Sequence, residues 1–456
     1  MASAAHDLPL KGSPPLMSTA YLPTTINDSE HTVLRGATLI DGNGGDPLAS
    51  AEIEIKDGRI VYAGPERTEG ASSAGEWYDT GGRASRVIDL QGKTIMPGFI
   101  DSHVHLGLSI ENQAANLARF ASERIVRSAV NARATLMAGV TTVRDLGGTD
   151  RGVRDSIQQG LILGPRMHLA ITPLSPTGGH TDFTMPNGLS TMPAMPVDPI
   201  IDTDDDVRRT IRTLVRSGAD VIKVCTTGGV SSPSDTPDDI GVPEEHVRLI
   251  VAETAKRAGQ PVAAHAQGAE GIKAAIRGGV RSVEHGYGID DEGIELMLEH
   301  GTFLVPTLSS ALRIPDPKNV PDYLYEKKVR WSAIARERVA VAMAAGVKVA
   351  LGTDAGVCPH GLNLREEMHA VELGLTPMQA IVAGTKNAAE LMRLSDDVGT
   401  LEEGKLADLV IVDFDPLADI TQLADPAKVT VVMQGGVLMK DSASWFPSAP
   451  VRSLLG

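Results

Sequence analysis

The sequence predicts an α/β protein, a (β/α)8 barrel that carries a smaller β domain assembled from both ends of the chain. Three observations predict it. Short β-like runs alternate with helical stretches from about residue 98 to 395; the candidate strands in that span number eight; and further short strands recur near both ends. Eight strands alternating with helices is the count of a (β/α)8 barrel. The competing architecture, a doubly wound open sheet, calls for a GxGxxG fingerprint after its first strand, and that fingerprint is absent.

Residues 1–30 are rich in Pro, Ser and Thr without periodicity and read as a tail. The runs Thr32–Ile40 and Ala51–Gly64 then read as short strands, with Asp57-Gly58 as a hairpin signal. Matching runs return at Ala407–Asp413 and Val429–Val437, so residues 31–97 and 397–441 are expected to share one small domain. The barrel takes 98–396, and 442–456 forms a second tail. Barrel strands are expected to begin near Phe99, Val140, Arg166, Asp220, Pro261, Ser282, Phe303 and Lys348. Helices are expected over Gln113–Met137, Glu244–Ala258 and Glu326–Ala345, and Thr376-Pro377 supplies an N-cap followed by proline at the first helical position.

At 456 residues the chain exceeds the size at which one hydrophobic core stops growing. Its 42% hydrophobic and 3% aromatic residues describe a globular protein with an aliphatic interior. A net charge of −16 disfavours nucleic acid and anionic membrane surfaces as partners. Cys225 and Cys358 are too few for a disulfide framework and point to a reducing compartment. The segment Met1–Pro9 lacks the features of a secretory signal, and no apolar run reaches the roughly 18 residues of a membrane span. The expected location is the cytoplasm, and the expected partner is a small molecule.

In a (β/α)8 barrel, chemistry gathers where the strands end. The first candidate strand ends in Asp101-Ser102-His103-Val104-His105, which sets His103 and His105 on one face. The fourth, Val221–Cys225, holds Lys223 inside an apolar run; the fifth ends at His265, the sixth at His285 and the eighth at Asp354. Singly, each has a plain alternative: His265 or His285 as a hydrogen-bonded core residue, Asp354 as a helix cap, Lys223 as a snorkelling side chain. Jointly, five strands aim nitrogen or carboxylate groups at one face. Four neutral imidazoles and a carboxylate suit a borderline divalent metal. Cys225, two residues from Lys223, reads as a small core residue, and no partner pattern supports Cys358 as a catalytic thiol.

These residues bring the chain to a family. Pro97–His105, Gly139–Asp145, Val283-Glu284-His285-Gly286, Gly352–Gly356 and Glu403–Val410 resemble signatures of the amidohydrolase superfamily, over a stretch from about Thr32 to Gly436. Val221-Ile222-Lys223 and Pro176-Thr177-Gly178-Gly179-His180 are similar to the branch that holds prolidase-like dipeptidases, ochratoxin-hydrolysing amidases, and phenylurea and molinate hydrolases. The resemblance implies that the small domain is a β-sandwich and that the protein forms homo-oligomers. It also implies two divalent ions, with zinc expected: His103 and His105 hold the more buried one with Asp354, and His265 and His285 hold the second. Lys223 would bridge them as an N6-carboxylated lysine, since an ammonium cannot ligate a cation.

The expected chemistry is metal-assisted hydrolysis of a carbonyl C–N bond in an amide, urea or carbamate. Metal-bound water, its pKa lowered toward about 7, supplies the hydroxide. Asp354 is the catalytic residue expected to take the water's proton and pass it to the departing nitrogen. A deaminase of the same superfamily is disfavoured by the retention of Lys223.

Specificity should lie in the loops after the strands. The longest, Thr172–Asp206, contains Phe183, Met185, Met192 and Met195, which either wall the substrate or pack on one another. Residues 172–206 and 226–243 contain no Lys or Arg; elsewhere around the expected mouth Arg151, Arg313 and Lys318 stand out. Recognition of a free carboxylate favours Arg. The reading therefore leans toward a neutral, fairly apolar substrate such as an N-aryl urea, with a prolidase-like dipeptidase or carboxypeptidase, or an N-acyl amino acid amidase, as the alternative. His180 and Tyr287 are the candidate substrate contacts.

Overall fold

The chain runs from Thr32 through β1 (Thr32–Leu39), β2 (Leu48–Lys56), β3 (Arg59–Pro65), β4 (Glu76–Tyr78), β5 (Ala84–Asp89) and β6 (Thr94–Pro97). The hairpin between β2 and β3 turns on Asp57 and Gly58, whose φ values of 50° and 76° are those a two-residue turn requires. The computed structural model describes residues 31–67, 76–78, 84–108, 120–185, 187–190 and 197–446. The expected tail 1–30, residues 447–456 of the second tail, the start of the helix expected at Gln113, and Met192 and Met195 lie outside the described residues.

Seven short parallel strands follow. β7 (Phe99–Val104), β8 (Val140–Asp145) and β9 (Arg166–Leu169) form one sheet; β10 (Ile222–Cys225), β11 (Val262–Ala266), β12 (Ser282–His285) and β13 (Phe303–Val305) form another. Every residue of β7, β8 and β10–β13 is buried. Burial on both faces is why these strands read as apolar runs rather than as alternating ones. Among the described residues six helices lie between them: α1 (Ala121–Met137), α2 (Arg151–Gln158), α3 (Asp204–Arg216) and α4 (Glu244–Ala255) in the first part, then α5 (Ala269–Gly278) and α6 (Asp291–His300) between β11 and β13. After β13 come α7 (Leu308–Ala311), α8 (Asp322–Ala344), α9 (Arg365–Glu372), α10 (Pro377–Ala383) and α11 (Lys386–Leu391). α10 starts at the expected cap: the Thr376 side chain accepts from the Gln379 backbone, and Gln379 returns the bond to the Thr376 backbone.

Single bridges link the two sheets. The Leu174 backbone N–H donates to the Lys223 carbonyl at 2.8 Å, and that of Cys225 to the Leu174 carbonyl at 2.8 Å. On the other side, residues 348–355 span from β13 to β7: Leu304 donates to the Lys348 carbonyl at 2.9 Å, Ser102 to the Leu351 carbonyl at 2.9 Å, and Asp354 to the His103 carbonyl at 2.7 Å. The eighth strand expected at Lys348 is thus a run of isolated bridges. Its backbone comes so close to β7 that a Cβ at Gly352 would lie 2.7 Å from the His103 nitrogen, and Asp354 breaks the extended path at φ 61°. The fourth and fifth strands begin at Ile222 and Val262, within two residues of expectation.

The chain returns to its start through β14 (Leu409–Val412), β15 (Val429–Gln434) and β16 (Val437–Asp441). β14 pairs antiparallel with β6, Leu409 opposite Pro97 and Val412 opposite Thr94. Both ends of the described chain therefore share one sheet, in the order β16-β15-β14-β6-β1-β2-β3, with β5 also on β1 and β4 on β5. Leu34, Ile53, Ile95, Leu409, Ile411 and Val431 form its buried cluster. No helix among the described residues is long and apolar enough to cross a membrane.

Candidate metal centre

His103, on β7, and His105, just past its end, are brought together with Asp354. The ligand atoms of these three lie within 4.8 Å of one another. The two Nε2 atoms are 3.3 Å apart, and Asp354 Oδ1 stands 3.6 Å from that of His103 and 3.4 Å from that of His105. Each ring is held by its other nitrogen: His103 Nδ1 lies 2.8 Å from Glu284 Oε2, and His105 Nδ1 2.8 Å from the Gly147 carbonyl. An oxygen acceptor on Nδ1 fixes the proton there and turns the Nε2 lone pair inward. The group could hold a metal ion.

His265 and His285 stand beside this triad rather than in it. The His285 ring centroid is 5.1 Å from that of His103, and the His265 centroid 4.6 Å from that of His285. His285 Nδ1 meets Thr307 Oγ1 at 2.8 Å, and His265 Nε2 meets the Gly228 carbonyl at 3.0 Å. Each thus has its second ring nitrogen outside that contact. Burial, reinforced by neighbouring cations, holds His103, His265 and His285 well below the ordinary imidazole range, so they are neutral at pH 7. His105 rises instead: burial lowers it, but Asp354, Asp145 and the Gly147 carbonyl together outweigh that burial.

Lys223 is buried on β10, and its Nζ has no hydrogen-bond partner. Burial is the main cause that lowers its pKa to about 8, against the pull of Glu284. A buried amine without a partner is costly unless it is neutral or modified.

His180 stacks on His265, centroids 4.1 Å apart, and its Nδ1 lies 3.5 Å from Asp235 Oδ2. Gly229 is what admits it: a Cβ there would come within 2.3 Å of the ring. The buried Tyr287 sets its hydroxyl 3.1 Å from Thr307 Oγ1, so it braces the group that orients His285. Cys225 is a buried thiol pushed up to about 11 by burial, with its Sγ 3.7 Å from Thr181 Oγ1. Cys358 is likewise buried, and its thiol donates to the Thr353 carbonyl at 3.4 Å. Arg151 pairs with Asp155 on the surface of α2, away from these groups.

The ring geometry depends on residues that the sequence reading quoted without a role. Glu284, fully buried, accepts from Arg144 at 2.8 Å and from Ser282 at 2.5 Å while holding His103. Arg144 also donates to the Ser102 carbonyl at 2.6 Å. A charged residue inside an apolar strand run was the signal that singled out Lys223; it applies equally to Arg144 in β8 and Glu284 in β12. Backbone strain collects here too: His285, Thr307 and Asp354 have φ values of 72°, 50° and 61°, each costing about 1 kcal/mol or more for a non-glycine residue. Glu284→Gln removes the charge that holds the His103 ring. It should weaken metal affinity by about 10- to 100-fold in a competition titration against a chromophoric chelator, and an unchanged affinity would show that Glu284 serves only Arg144.

The profile of the amidohydrolase family matches residues 94–439. The ochratoxinase of Aspergillus niger is 34% identical over 434 residues, covering 91% of this chain and 88% of that protein. Among solved structures, a Xaa-Pro dipeptidase with methionine bound in its active site superposes with a TM-score of 0.80 at 32% identity, covering 90% of this chain and 99% of that one. A molinate hydrolase superposes at 0.72 with 26% identity, over 93% of this chain and 97% of that one.

Proposed function

This chain belongs to the amidohydrolase family, and from that premise we propose that it is a binuclear enzyme cleaving the amide bond of a small substrate whose leaving half is an amino acid. That it is a metal-dependent hydrolase follows from the family. The observation that carries the binuclear reading is Lys223, buried, unpartnered and depressed to about 8 among four histidines. The neutral amine of such a lysine adds to CO2: an N–C bond forms, one proton leaves, and the side chain becomes an anionic N-carboxylate. His103, His105 and Asp354 would hold one ion, His265 and His285 the other, and the modified Lys223 would lie between them. Imidazole and carboxylate donors make zinc the expected metal.

When bound, the ions would acidify a water and polarise the substrate carbonyl. The chain's own groups do the rest. Asp354 takes the water's proton and delivers it to the departing nitrogen, which would otherwise leave as a poor anion. Glu284 and two carbonyls hold His103, His105 and His265 in one tautomer each, and Thr307 orients the His285 ring. His180 and Tyr287 are the side chains next to the second histidine pair and serve as substrate contacts in this reading.

The same reading takes residues 98–396 as a closed (β/α)8 barrel, in line with the single bridges at both seams, and 31–97 with 397–441 as a β-sandwich. Two buried free thiols support a cytoplasmic location. Phe120, Val126 and Val130, 79%, 62% and 63% exposed along α1, support self-association.

An amino-acid leaving half is favoured by likeness to a dipeptidase that binds methionine and to an ochratoxinase. The other reading, a neutral N-aryl urea, keeps one observation in its favour: residues 172–206 and 226–243 are free of Lys and Arg. A parallel assay of N-acyl amino acids, Xaa-Pro dipeptides and N-aryl ureas decides between them. Chelation should abolish turnover of whichever substrate is cleaved, and added zinc should restore it with about two ions per chain; fewer than one ion per chain would defeat the binuclear proposal.

A further inference from the structure

Adjacent lysines on α8 are used in different ways. Lys327 donates from Nζ to the carbonyls of Gly229, Ser232 and Asp235, so all three of its protons have acceptors and the loop after β10 is tied to the helix. Among the described residues Lys328 has one acceptor, the Ser310 carbonyl at 2.8 Å. Two of its donors are left over. Ser310 is buried on α7, the short helix after β13, at the end of the strands where His285 and Asp354 lie. Glu366 steadies that helix by accepting from the backbone N–H groups of Leu308 and Ser309 at 2.6 and 2.7 Å.

Arg313 lies three residues past Ser310 and reaches across to the Val357 carbonyl at 3.2 Å, three residues past Asp354. Among the described residues, no carboxylate stands within 4.0 Å of Lys328 or Arg313. Burial depresses Lys328, against the pull of Asp354 and with the help of Arg313. Ser310 donates from its backbone to the Thr307 carbonyl at 3.1 Å, Thr307 Oγ1 meets His285 Nδ1 at 2.8 Å, and Val357 donates from its backbone to the Asp354 carbonyl at 3.0 Å, so the carbonyls that hold Lys328 and Arg313 belong to the segments that carry Thr307 and Asp354. Next to Lys328 is an apolar cluster that includes Tyr287, Trp331 and Leu312.

We propose that Lys328, with Arg313 beside it, is the specificity-determining anchor for the carboxylate on the leaving half of the substrate. Its two spare N–H donors meet the anion, and Arg313 at the exposed edge draws it in. The apolar cluster receives the amino acid's side chain. This inference rests on the amino-acid reading above and supplies the cation that the loops after β9 and β10 lack.

The test compares an N-acyl amino acid or Xaa-Pro dipeptide that the enzyme cleaves with the same molecule as its C-terminal carboxamide. The wild type should prefer the acid by tenfold or more in kcat/KM. Lys328→Met should lower that acid-to-amide ratio by about ten- to a hundred-fold, chiefly through KM, with metal content retained. Lys328→Arg should keep most of the preference. Arg313→Met, at an exposed position where folding is safe, should lower the ratio by about three- to tenfold. If the wild type prefers the acid and neither methionine variant changes the ratio, the Lys328 assignment is overturned while the amino-acid reading stands. A wild type indifferent to the carboxylate, or one that cleaves only ureas, overturns the reading and the inference together.

Discussion

Replacing Lys223 by alanine is expected to leave a folded chain that holds about one metal ion fewer and has lost about a thousandfold or more in kcat/KM. The reasoning starts from burial. Lys223 is 3% exposed, and its Nζ meets no acceptor. A buried ammonium so placed is among the costlier things a core can hold, so the group must gain something in the working enzyme. In the proposed binuclear centre a carbamate between two cations would supply that gain, and without it two dications at close quarters would repel each other with only histidines between them. Alanine removes the anion; arginine at the same site would install a permanent cation that cannot react with CO2. Both should fail, and millimolar formate or bicarbonate should restore part of the activity to the alanine variant alone. Elemental analysis checks the metal count. Two retained ions with a loss under tenfold would refute a bridging role.

Asp354→Asn should lower kcat by about 10²- to 10⁴-fold. Asparagine keeps an oxygen near His103 and His105 but can neither accept a proton as a carboxylate does nor return it. Because the missing step is protonation of the leaving nitrogen, the defect should track the leaving group. A p-nitroanilide, whose amine departs more readily as an anion, should suffer roughly tenfold less than an alkyl amide. A uniform loss across leaving groups would reduce Asp354 to a ligand. The strained φ of 61° at this residue shows that the local backbone is held by its surroundings. Substitution there should therefore alter charge more than position.

The histidines and the aspartate of the candidate centre were legible because they stand at or just past the ends of apolar runs, and such a position can be read without knowing the fold. His103, His105 and Asp354 come together although 249 to 251 positions separate the aspartate from the pair, because parallel strands deliver their ends to one face. What holds them was harder to see. Glu284 reaches His103 across 181 positions, and nothing in the local spacing of either marks that contact. Thr307 gives no pattern at all, being one more hydroxyl after an apolar strand.

Lys328 gives no signal in the sequence either. It lies in a charged helix where lysines are ordinarily solvated, and only the packing of α8 against α7 turns it toward the Ser310 carbonyl. Strand limits were read to within two residues where apolar runs end sharply. The eighth strand resisted, since its bonds to β13 and β7 are set by neighbours on both sides rather than by its own alternation.

The pairing of β6 with β14 has a consequence for how the molecule is made. A ribosome adding about 5–20 residues per second releases Thr94–Pro97 well before Leu409–Val412 exists, with an interval of roughly 15–60 s between them. During that time β6 presents an unpaired apolar edge, and the first histidines have emerged without Asp354. A nascent chain in this state can pair with another of its kind. Yield in the cell should therefore depend on whatever shields that edge until the last strands arrive, and metal can be captured in its final geometry only near the end of synthesis.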